Sequence, residues 1–94
     1  MKREMKEAIE HKLLVYGEKG TTGNKSWDES ILAVLIDTNG DPKQKSITLK
    51  YFEKKENKTA MEEIPVSAAA YIAWQKEMFE AIALQAVYRR LIKP

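Results

Sequence analysis

From Ala68 to Ile92 the chain runs 25 residues without Gly or Pro. In a protein of 94 residues, no other feature constrains the fold as strongly. A breaker-free stretch of this length predicts one long helix, about 37 Å at 1.5 Å per residue. Ser67, preceded by Pro65-Val66, is the expected N-cap, because its hydroxyl can accept from an N–H of the first turn.

Placing the side chains at 100° steps shows that this helix changes its apolar side. In the first half Tyr71, Trp74, Met78 and Ile82 share one side, with Ile72 and Phe79 on the flank and Lys76, Glu77 and Glu80 opposite. In the second half Gln85, Arg89 and Lys93 continue the formerly apolar side. Leu84, Val87, Tyr88 and Leu91 form a new stripe on the formerly charged one. One rigid partner surface does not bury both. The second stripe either meets the N-terminal helix of the same chain or serves as a protein interface, with Arg89 and Arg90 as its polar rim.

The N-terminal helix is read from Lys2 to about Leu14. Met1, Met5, Ala8, Ile9, Leu13 and Tyr16 recur at three- and four-residue steps, with Arg3/Glu7 and Lys6/Glu10 on the polar side. Gly17 to Lys25 holds three glycines within seven residues and reads as a loop. Ile31–Ile36 is a continuous apolar run, Asp37–Pro42 is dense in turn residues, and Ile47–Glu53 alternates. The pattern predicts a β-hairpin, with Ile47, Leu49 and Tyr51 on one face and Thr48, Lys50 and Phe52 on the other. The rival reading of residues 27–36 is a helix, since Ser26-x-x-Glu29 has the form of a capping box. A third short edge strand is expected at Thr59–Ile64, ended by Pro65. The predicted fold class is therefore α+β, a single domain over residues 1–94. An N-terminal amphipathic helix, a small antiparallel meander of two to three strands, and a long C-terminal helix packed on that sheet compose it.

Composition narrows function by exclusion. There is no Cys, hence no disulfide, thiolate metal site or Cys nucleophile, and one His, His11, which next to Glu7 reads as a surface group. The Gly17–Lys25 loop departs from a P-loop because Asn24 separates Gly23 from Lys25. Asp37-x-Asn39-x-Asp41 starts like a calcium loop, but Pro42 and Thr48 stand where Gly and Glu are needed. The adjacent carboxylates Asp28 and Glu29 would point to opposite faces of a strand. Asn57-Lys58-Thr59 matches a glycosylation sequon only by its letters. No catalytic residue, cofactor site or metal site is assigned, and a non-enzymatic protein is expected.

A net charge of +2 is too mild to demand nucleic acid. Lys43, Lys45, Lys50, Lys54, Lys55 and Lys58 nevertheless cluster. On a strand, Lys50, Phe52 and Lys54 would form a basic face with an aromatic able to stack a base, which keeps nucleic-acid binding as the alternative function. The expected order of helix, three strands and helix is similar to that of double-stranded-RNA-binding domains. Here the last helix opens Ser67-Ala68-Ala69-Ala70, with no base until Lys76, so the likeness is one of order alone. The charged N-terminus and the lack of any 18-residue apolar run lead to a cytoplasmic expectation, with no membrane. The leading expectation is a small regulatory or interaction module that binds a protein or a second copy of itself. Its interface would be Leu84, Val87, Tyr88 and Leu91, with Arg89 and Arg90.

Overall fold

The computed structural model describes residues 2–54, 56–64 and 66–91. Met1, Lys55, Pro65, Ile92 and Lys93, which enter the reading above, lie outside them. The described residues are helical, with no strand among them, and the α+β expectation is overturned. The elements are α1 (Arg3–Lys19), α2 (Lys25–Asp37), an irregular α3, α4 (Asn57–Glu63) and α5 (Ala68–Tyr88). In α3 a 3₁₀ turn (Pro42–Gln44), an α turn (Lys45–Ile47) and a π turn (Thr48–Phe52) follow one another directly.

α1 passes through Gly17, where a loop was expected, and ends at Gly20, whose positive φ of 75° closes it with a bond from its N–H to Tyr16 O. Gly17 is used for close approach. A Cβ there would stand 2.3 Å from the carbonyl oxygen of Tyr51 and 2.7 Å from Phe52 Cδ1, so only glycine lets α1 cross α3 at this distance.

The expected first strand is α2. Its cap is Asn24, whose side chain accepts from the N–H of Trp27 at 3.0 Å, two residues before the expected Ser26. Asp28 fastens the preceding turn. Its carboxylate accepts from the Thr22 N–H at 2.6 Å, the Thr22 hydroxyl at 2.7 Å and the Thr21 hydroxyl. These bonds, that of Thr21 foremost, hold the Asp28 carboxyl below its ordinary range. At the other end Gln44 Nε2 donates to Leu35 O at 2.7 Å, satisfying a terminal carbonyl. The local capping chemistry thus specifies a helix, and the β-branched residues of the run fit it with Ile31 and Val34 buried.

The alternation in Ile47–Glu53 has a different cause from the one expected. Ile47, Leu49 and Tyr51 are all buried, but on two sides of a helix. Ile47 and Tyr51 join the main core, while Leu49 joins a smaller cluster with Ala60, Ile64 and Tyr71. The π turn, closed by Glu53 N–H to Thr48 O at 2.8 Å, makes this wide distribution possible. The expected third strand is α4, which buries Ala60, and Ile64, its C-cap, is buried beside it.

The main core draws Ile9 and Leu13 from α1, Trp27, Ile31 and Val34 from α2, and Ile47 and Tyr51 from α3. To these α5 adds Met78, Phe79, Ile82, Ala83 and Ala86. The Tyr51 hydroxyl donates to Glu10 Oε2 at 3.3 Å, and burial, reinforced by that nearby charge, pushes the phenol above its usual range. α2 and α5 run antiparallel, since Glu29 meets Arg89 at 3.9 Å while Lys43, just past α2, meets Glu77 at 2.8 Å.

Candidate protein-interaction surface

The N-cap of α5 is as expected: Ser67 Oγ accepts from the Ala70 N–H at 3.1 Å. The helix proper is 21 residues long and stops at Tyr88. Of its first-half apolar side Tyr71, Met78 and Ile82 are buried as read, Trp74 is half-buried against the smaller cluster, and Phe79, placed on the flank, is buried too. Ile72, placed on the flank, is exposed.

In the second half the buried side does not switch. Ala83 and Ala86 carry the contact with the core onward, their small side chains letting the other helices approach. Arg89 continues this side, mostly covered, with its guanidinium bonded to Gln85 Oε1 and facing Glu29. It therefore belongs to the α2–α5 seam rather than to an interface rim.

The predicted stripe is divided by this geometry. Leu84 is 69% exposed and Tyr88 84% exposed, one turn apart on the outer face, and neither belongs to a core cluster. Val87 is half-buried at the edge. Leu91 leaves the stripe. The helix ends in a Schellman motif, with the Leu91 N–H bonded to Ala86 O at 2.8 Å and the Arg90 N–H to Val87 O at 2.9 Å. That turn folds Leu91 back against the main core. Arg90 occupies the left-handed position of the motif, φ 61°, and is exposed. Leu91 packs against the main core, to which α1 contributes Ile9 and Leu13, while Leu84 and Tyr88 stay outside it.

Glu77 and Glu80 lie on the same outer face, because 77, 80, 84 and 88 follow helical spacing. The face carries two carboxylates in its first half and two large exposed apolar side chains in its second. Lys43 binds Glu77 at 2.8 Å, a bond that holds the Lys43 ammonium above its ordinary pKa, and Lys76 stands 4.0 Å from Glu80. That spacing was visible in the sequence, but the interface expectation took the apolar residues without the two carboxylates that share their face.

The alternative nucleic-acid set is not brought together as a basic, stacking face. Phe52 is half-buried with its ring 5.8 Å from that of Tyr16. Lys50 lies over the Tyr51 ring and Lys54 is 3.9 Å from Glu18, and both line an open depression shared with Glu10, Glu18 and Glu56. The strand on which the three residues would have alternated is the π turn of α3 and the residues after it. A second hollow of about 280 Å³ lies between α1 and α5, lined by Lys6, Ile72, Gln75, Lys76 and Phe79.

Among the described residues no group of three or more His, Asp or Glu side chains is arranged to hold a metal ion. Asp41, from the calcium-like run, caps the 3₁₀ turn by accepting from the Lys43 N–H at 2.9 Å. Asp28 and Glu29 lie on a helix, one in the turn clamp and the other facing Arg89. No described helix is long and apolar enough to cross a membrane. In comparisons with known proteins, no family model, no curated protein and no solved structure matches the chain.

Proposed function

We propose that this chain is a small non-enzymatic interaction module of the cytoplasm that binds a protein through the outer face of α5. Leu84 and Tyr88 are its centre, Val87 its edge and Arg90 its cationic end. The observation that carries the reading is the exposure of Leu84 and Tyr88, 69% and 84%, one turn apart on a helix whose other side packs in the main core. Large exposed apolar side chains grouped on one element mark interaction surfaces. Tyrosine, with an apolar ring and a polar tip, is enriched at their centres. The surface is ready-made, since α5 is held from behind by the main core and capped at both ends.

The test is the double substitution Leu84→Glu/Tyr88→Glu. The expected result is unchanged helicity and unchanged thermal unfolding of the monomer, together with loss of association with its protein partner or itself. A large drop in monomer stability would mean that the stripe is core, and would end this reading.

A further inference from the structure

We infer that Asn39 is a site of spontaneous covalent modification in the folded chain. Its side-chain amide is lost to ring closure by the Gly40 nitrogen, which leaves an aspartyl or isoaspartyl group at position 39. The inference stands apart from the interaction reading above and concerns the junction of α2 and α3.

Of the asparagines at 24, 39 and 57, Asn39 alone is followed by glycine, since Asn24 precedes Lys25 and Asn57 precedes Lys58. A side chain on the following residue crowds the backbone nitrogen as it approaches the amide carbon, and glycine has none. The fold leaves the reaction open. Asn39 and Gly40 are both exposed in the turn after α2, with Gly40 at a left-handed φ of 84°. On either side the N–H groups are held, that of Asn39 by Ile36 O at 3.2 Å and that of Asp41 by Thr38 O at 2.9 Å. Among the described residues, neither the Gly40 N–H nor the Asn39 side chain is held by a hydrogen bond. Asn24 differs, because its side-chain carbonyl is fixed by the Trp27 N–H at 3.0 Å.

The Gly40 nitrogen gives its proton to hydroxide and attacks Cγ of Asn39. The new Cγ–N bond forms, the Cγ–Nδ2 bond breaks, and Nδ2 leaves as ammonia with a proton taken from water. Water then opens the five-membered imide. Opening at Cγ gives the aspartyl chain, and opening at the main-chain carbonyl routes the chain through Cγ as isoaspartyl. Either way one water is consumed, one ammonia is released, and a carboxylate replaces an amide.

The new charge is badly placed. It follows the carbonyl end of α2, which disfavours anions, and it lies between Asp37 and Asp41. Lys43 does not offset it, being bonded to Glu77 at 2.8 Å.

The test is incubation of the full chain in mildly alkaline buffer, followed by peptide mapping by mass spectrometry and labelling with an isoaspartyl methyltransferase. Conversion at Asn39 should outpace that at Asn24 and Asn57 at least ~tenfold and quicken as pH rises. The folded rate should stay within about tenfold of the rate in urea, where the fold protects nothing. Gly40→Ala should slow the reaction at least ~tenfold in urea too, where the strain of a left-handed alanine is absent and only the added Cβ is tested. Asn39→Asp should lower the unfolding midpoint, with part of the loss recovered by salt. Asn39 as inert as Asn24, protection by the fold beyond about tenfold, or an undiminished rate in Gly40→Ala each overturns the inference. An Asn39→Asp chain as stable as wild type overturns the stated consequence of the charge.

Discussion

Ile82 and Leu84 stand two residues apart on α5, similar in size and hydrophobicity, yet one is 1% exposed and the other 69%. Ile82 points where α1, α2 and α3 converge. Leu84 points away from them, among Glu77, Glu80 and Tyr88. The difference shows that hydrophobicity marks a residue as able to be buried, while its direction on the helix decides whether the same chain buries it. The alanines at 83 and 86 sharpen the point: they are poor hydrophobic signals, yet they hold the core contact because they let helices come close.

The contrast can be attacked first at its buried end. Ile82→Ala removes fully buried methyl groups from the main core and should cost about 2–5 kcal/mol in chemical denaturation. A cost below about 1 kcal/mol would mean that α5 is not packed as described. Gly17→Ala probes the same core from the α1 side. Alanine is the better helix former by about 1 kcal/mol, yet its Cβ would meet the Tyr51 carbonyl. Net destabilisation of about 1–3 kcal/mol is expected from such overpacking. A stabilised variant would show that the α1–α3 crossing is loose.

At the end of α5, Arg90→Gly relieves a left-handed backbone position and should raise stability by about 1 kcal/mol, read as a higher unfolding midpoint. A smaller and pH-dependent effect is expected at the start of α2. The folded-state pKa of Asp28 is depressed by the threonine clamp. Its contribution is present above the ordinary carboxylate pKa and lost as pH falls through the depressed value. Asp28→Asn should therefore flatten the acid limb of the stability–pH curve, and an unchanged limb would count against the clamp. The smallest effect belongs to Leu84→Ala, expected to change monomer stability by no more than about 0.5 kcal/mol. Paired with Ile82→Ala, it measures the comparison directly.

Much of α1 and α5 was legible because helical periodicity over many turns is a strong signal. Ile9 and Leu13 are at 0% exposure, and Ser67 caps α5 as its position implies. The middle of the chain misled for a physical reason. Ile31–Ile36 is apolar throughout and half β-branched, which suits a buried strand, but the Asn24 cap and the Asp28 clamp start a helix ahead of it. The alternating Ile47, Leu49 and Tyr51 imitate one face of a strand, although they serve two separate apolar clusters. The candidate surface was half legible. Leu84 and Tyr88 followed from the inverted stripe, whereas the removal of Leu91 and Arg89 from it followed from a chain reversal and an ion pair.

The sequence by itself determined that α5 is one unbroken helix with more apolar surface than a single partner face can cover. Spacing and the absence of breakers are local properties, carried by the residues themselves. Only the tertiary structure decided which of that surface stays open. Burial depends on where α1, α2 and α3 arrive, and that is set by a glycine crossing at Gly17, by two alanines on α5 and by the clamp at Asp28. The Gly17 crossing and the two alanines act through contacts between residues far apart in the chain, and the clamp acts by fixing where α2 starts.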